Sequence, residues 1–177
     1  MSVYEESGMY FDPLFNSNRY QSFYVEKSEL YERLKYHDVK SVEFIAMYNQ
    51  SIYFIEAKGS FPNPNNPESI ENIVRDCQML YEKLQHSLDL LIAKKLGGHS
   101  TLSYDGAETL MNDLSCHKII FLLVMGKNKK TGEWFAEEWC EAIKDELEKK
   151  LKPLISIWNI QVAVIDHEAA RKLKMIV

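Results

Sequence analysis

The 177-residue chain has the length of one compact domain, and its 46% hydrophobic and 27% charged residues exclude disorder of the whole. A net charge of −5 excludes a globally basic nucleic-acid surface, so any such contact has to be local. No apolar run reaches bilayer length, the N-terminus lacks the apolar core of a secretory signal, and the three cysteines have no Cys-x-x-Cys spacing. A cytoplasmic protein without a membrane partner is the expectation.

In chain order, residues 1–24 carry Tyr4, Tyr10, Phe11, Tyr20, Phe23 and Tyr24 without a clear period, and read as an arm over the domain or onto a partner chain. Ser28 is placed to cap a short helix over SELYERLKYHD. Residues 39–48 and 51–58 are rich in β-branched and aromatic types and are separated by Asn49-Gln50, the pattern of a β-hairpin. FPNPNNP is a loop, and Asn66-Pro67-Glu68 combines a cap, a first-turn proline and an acid. Apolar residues from Ile70 to Ile92 then recur at three- and four-residue spacing, predicting a long amphipathic helix that stops near Gly97-Gly98. Residues 99–116 predict a short helix and KIIFLLVM, residues 118–125, a central strand apolar on both faces. GKNKKTGE is a turn, WFAEEWCEAIKDELEKKLK a second amphipathic helix closed by Pro153, and residues 159–166 a last strand. The order predicts one α/β domain of three α/β/α layers: an open mixed sheet with helices on both faces.

A two-residue hairpin loop pairs Tyr48 with Ser51, Met47 with Ile52, Ile45 with Phe54, and Glu43 with Glu56. Opposed side chains have Cβ atoms about 4.5–5.5 Å apart, so two carboxylates there repel unless a proton or cation lies between them. Alternation puts Lys58 on the same face. Two acids and a lysine converging at one end of an apolar strand pair suit Mg²⁺ or Mn²⁺. Such an ion polarises a phosphoryl group and lowers the pKa of bound water, while the lysine orients that water or stabilises developing charge.

Glu43, twelve intervening residues, and then Glu56-Ala57-Lys58 resemble the motif of the PD-(D/E)xK nuclease superfamily, the restriction-endonuclease-like fold. The resemblance in element order spans residues 25–166, and the diagnostic motif spans residues 43–58. It implies that Glu43, Glu56 and the main-chain carbonyl of Ala57 bind metal and that Lys58 is catalytic. It further implies supporting roles for Glu29 or Glu32 on the preceding helix and for Gln78 and Tyr81 on the following one. The chain departs from the family where Glu43 follows Val42, since an Asp after a Pro is usual there, and the Gln78–Tyr81 spacing is shorter than the usual one.

Other polar positions have plainer readings. Asp166-His167-Glu168 alternate faces in a strand and read as a polar strand end. Cys77 and Cys140 sit at apolar helical positions as core thiols. His117, just before an apolar strand, reads as a satisfied edge histidine, and His86 and His99 have no convincing partner. The lysine clusters at 94–95 and 127–130 are loop charges or phosphate contacts. Three functions compete: a metal-dependent phosphodiesterase acting on DNA; a non-catalytic member of that fold acting as a protein-interaction or assembly module, with a protein partner or as a homo-oligomer; and an unrelated α/β protein with the hairpin as scaffold.

Overall fold

A computed structural model describes residues 4–11, 21–48, 50–98, 118–127, 135 and 137–176. The fold is mixed α/β. Strands β1 (Tyr4–Glu6) and β2 (Met9–Phe11) form a two-stranded ribbon. Strands β3 (Gln21–Tyr24), β4 (Phe44–Tyr48), β5 (Ser51–Lys58), β6 (Lys118–Met125) and β7 (Gln161–Asp166) form a five-stranded sheet in that order. β3, β4 and β5 are antiparallel, whereas β5, β6 and β7 are parallel.

The helices are α1 (Glu29–Leu34), α2 (Ile70–Lys95), α3 (Cys140–Trp158) and α4 (His167–Lys172). Ser28 caps α1 by accepting from the Tyr31 N–H, and the Asn66 side chain accepts from the Glu68 N–H at the turn that leads into α2. Parallel neighbours require crossovers, and α2 and α3 supply them between β5 and β6 and between β6 and β7. Both steps run in the same direction along the sheet, so crossovers of one hand place both helices on one face. Their buried Ile73, Leu80, Leu84, Ile143, Leu147 and Leu151 pack on Ile45, Ile52, Phe54, Phe121 and Leu123 in the main core.

Among the described residues the other face carries one short helix, α4, and no long one, so helices lie on both faces but unequally. Covering it symmetrically would need a reversal of strand order that the β5-β6-β7 sequence lacks. Met9 and Phe11 of the ribbon, Ala170 of α4, and Met175 and Ile176 instead form a smaller core with Phe44, Ala46, Ile55, Ala57, Leu122 and Val124. Phe11 and Ile176 also form a bridge that joins ribbon and tail.

Further differences are local. Residues 21–24 are an edge strand rather than part of an arm, invisible to a period search because β3 has only four residues. The first hairpin strand begins at Phe44 rather than at 39, because Val42 and Glu43 give their backbone groups to other partners: the Val42 N–H to Ser87 Oγ and the Glu43 carbonyl to the Val25 N–H. Pro153 lies inside α3 and does not close it; the helix runs on to Trp158 and ends at Asn159 in a left-handed conformation, with φ of 52°. A proline removes one helical hydrogen bond, and the apolar contacts of Leu151 and Leu154 on either side carry the helix past it. Asp166 ends its strand, but His167 and Glu168 open α4 rather than extend the strand, because the Asp166 side chain caps that helix by accepting from the Ala169 N–H. The short helix expected over 99–116 and most of GKNKKTGE lie outside the described residues.

Candidate functional site

The hairpin register is the expected one, with Tyr48 opposite Ser51, Met47 opposite Ile52 and Ile45 opposite Phe54. Carried one pair beyond Phe44 and Ile55, it puts Glu43 opposite Glu56 at the point where β4 leaves the sheet. Ile52, Phe54, Glu56 and Lys58 share the β5 face that packs under α2.

Both carboxyl groups are buried, Glu43 at 6% and Glu56 at 3% exposure. Glu43 Oε2 accepts the Ala57 N–H at 2.8 Å. That donor points to the side from which β4 has peeled away, so the Glu43 side chain replaces the missing strand carbonyl. The Ala57 carbonyl accepts from Ser7 Oγ at 3.1 Å. Ser7 and Gly8 form the two-residue turn of the ribbon, both with positive φ (52° and 74°).

Helix α2 adds charges that the hairpin motif did not contain. Lys83 Nζ donates to Glu56 Oε1 at 2.7 Å and lies 3.5 Å from Glu26 Oε1. Lys58 Nζ donates to Asp76 Oδ2 at 3.1 Å and stands 5.4 Å from the Phe61 ring centre. Glu56 Oε2 is buried and has no hydrogen-bond partner among the described residues.

The titration directions follow from this geometry. Burial pushes the Glu43 carboxyl up to about 10, and the facing Glu56 pushes the same way. Burial raises Glu56 to about 7, with Lys83 holding it down from a higher value. Burial alone would lower the Lys83 ammonium, but the charge and hydrogen bond of Glu56, with Glu26 and Glu43, hold it above its ordinary value.

Of the predicted residues, Glu43, Glu56, Ala57 and Lys58 come together. Glu29 and Glu32 do not join them; each is about half exposed and pairs on the surface of α1, with Arg33 and Lys35. Gln78 is turned about 160° from Asp76 around α2 and donates to Glu82, which pairs with Lys40. Tyr81 is a partly buried residue packed against the main core. Sequence reasoning missed Lys83, Asp76, Glu26 and Ser7. A signal existed for two of them: Asp76 and Lys83 are seven apart and flank Leu80 on the apolar stripe of α2, where charges are out of place. Glu26 sits in the 3₁₀ turn Val25–Lys27, two residues before Ser28, the cap of the predicted short helix.

Elsewhere, His86 Nδ1 accepts the Lys40 N–H. Cys77 and Cys140 are buried free thiols, and burial pushes Cys77 up to about 11, away from nucleophilic use. Among the described residues, no group of three or more His, Cys, Asp or Glu side chains is placed to hold a metal ion. A divalent ion would therefore rest on Glu43 and Glu56, with water completing its shell. Two buried carboxylates and one unpartnered oxygen fit such a hard cation. No helix among the described residues is long and apolar enough to cross a membrane. Comparisons with protein-family models, curated proteins and solved structures each found no match, so no relative assigns this cluster a role.

Proposed function

We propose that the chain is a metal-dependent phosphodiesterase of the PD-(D/E)xK type, with a restriction-endonuclease-like fold, acting on DNA. The observation that carries this reading is the opposition of two buried carboxylates, one with an unpartnered oxygen, beside Lys58 on one sheet face. Such a pair is a poor stabilising device: apolar residues of similar size usually serve a fold as well or better. Function is the better account of its presence. Glu43 and Glu56 would hold Mg²⁺ or Mn²⁺, which would polarise a phosphoryl oxygen and supply hydroxide at neutral pH. Lys58, 14% exposed at the end of β5, would orient the attacking water or balance charge on the phosphoryl group.

The test is cleavage of single-stranded, duplex and branched DNA with either metal. Wild-type protein cuts, and Lys58→Ala and Glu56→Ala reduce the rate by about 10²-fold or more. Absence of cleavage on every substrate with both metals contradicts the proposal.

A second reading, a non-catalytic interaction or assembly module of the same fold, is favoured by Lys83, whose ammonium already supplies a positive charge to Glu56. A recess of about 280 Å³ on the opposite sheet face, lined by Tyr48, Tyr53, Ile120, Ala163, Ile165 and Leu173 among others, offers such a module an apolar surface. This reading expects Glu43 and Glu56 to be dispensable for binding a protein partner or a second copy.

A further inference from the structure

The geometry points to Lys83 as a built-in counter-ion that holds the Glu43–Glu56 pair in the absence of metal and moves to Glu26 when a divalent cation arrives. The inference rests on the metal-site part of the proposed function and does not depend on cleavage.

Charge balance supports it first. Lys58 is matched by Asp76 at 3.1 Å. That leaves Glu26, Glu43 and Glu56 around Lys83, with Glu6 close enough to act on Glu43 as well. With these carboxylates ionised, their charge exceeds that of Lys83; without metal a proton on the buried pair makes up part of the difference, and a divalent ion can take that place. A buried cluster short of positive charge is a costly arrangement unless a proton or a cation fills it.

The placement of Lys83 supports it second. Its ammonium has two acceptors within reach, Glu56 Oε1 on β5 at 2.7 Å and Glu26 Oε1 at 3.5 Å. Glu56 is almost fully buried, whereas the Glu26 side chain is 31% exposed, so Glu26 is an acceptor at the rim. The lysine side chain is long and flexible enough to trade one for the other while its stem stays on α2. Among the described residues the second oxygen of Glu56 has no hydrogen-bond partner while Lys83 occupies the first, so one ammonium leaves the carboxylate half satisfied. A cation ligated by Glu43 and Glu56 would satisfy it and repel Lys83 toward Glu26.

Lys83 therefore competes with the metal, and Glu26 assists the metal by receiving Lys83. Titration calorimetry with MnCl₂ on the full chain tests both statements. Lys83→Met should bind Mn²⁺ about tenfold more tightly than wild type, or more so. Glu26→Gln, a change at a partly exposed position, should bind it several-fold more weakly, because Lys83 then has only Glu56 to hold. Thermal melts of each variant without metal verify folding, and Glu26→Gln carries the test should Lys83→Met fail to fold. Mn²⁺ affinity in Lys83→Met equal to or below that of wild type overturns the inference. So does unchanged affinity in Glu26→Gln, or absence of Mn²⁺ binding in every form. Tighter binding by Lys83→Met without DNA cleavage by any form would leave this inference standing and remove the phosphodiesterase reading.

Discussion

Glu43 sits where β4 leaves the sheet, and its carboxyl group accepts the Ala57 N–H that the departing strand no longer pairs. A neutral carboxyl or an amide could accept that bond equally well, and the site favours neutrality, since burial and Glu56 both push Glu43 up to about 10. The unfolded chain loses this proton near 4.5, its ordinary value, so between about 4.5 and 10 the folded protein binds more protons than the unfolded one. Stability from this group is complete below that window and falls as pH rises through it. Glu56, raised to about 7, adds to the fall below neutrality. Melting temperature in metal-free buffer is therefore expected to fall between pH 5 and pH 9. Glu43→Gln should flatten the fall between pH 7 and pH 9 and raise the melting temperature at pH 8, by about 2–4 °C per kcal/mol released. A variant that melts lower than wild type at pH 8, with the same pH slope, would show that Glu43 is charged and well paired in the native state.

At the scale of elements, the site depends on how α2 is locked to the start of the hairpin. Ser87, fully buried on α2, accepts the Val42 N–H at 2.9 Å and fixes the helix beside the residue that precedes Glu43. Ser87→Ala removes that acceptor and leaves a buried donor unpaired, at a cost of about 1–3 kcal/mol. Chemical denaturation should show this as a lower midpoint with an unchanged slope. The strands that form the site were legible in the sequence, because β5 and β6 each hold a run of β-branched and aromatic or aliphatic residues and a two-residue loop leaves one register for the hairpin. Edge strand β3 was not legible, since four residues without alternation carry no period. The end of α3 was misread at Pro153 because local propensity yielded to the packing of Leu151 and Leu154. The α2 half of the site was hidden for a different reason. Asp76 has Arg75 at 3.9 Å on its own helix, but the partners that make the site, Lys58 for Asp76 and Glu56 for Lys83, are on β5, contacts that only the tertiary packing creates.

At the scale of the whole molecule, the cluster lies at the carboxyl end of β5, the end of an α/β sheet where ligands commonly bind. One face of the sheet carries α2 and α3 and aims Lys83 and Asp76 at that end. The other face carries the β1–β2 ribbon, whose turn reaches the same end: the Ser7 hydroxyl donates to the Ala57 carbonyl, and the Ser7 carbonyl accepts from Lys127 N–H. The close fit leaves no room for side chains there, since a Cβ on Gly59 would lie 2.4 Å from the Lys127 carbonyl oxygen and one on Gly126 2.5 Å from the Ser7 carbonyl oxygen. The two layers thus hold the carboxylate pair from both sides, and a net charge of −5 means that attraction of a DNA backbone has to come from this end locally. The most direct measurement is anomalous diffraction from a crystal soaked in MnCl₂. The account predicts a manganese peak ligated by both Glu43 and Glu56, with the Lys83 ammonium withdrawn from Glu56 toward Glu26. An empty site at millimolar Mn²⁺, with Lys83 still on Glu56 Oε1, would contradict it.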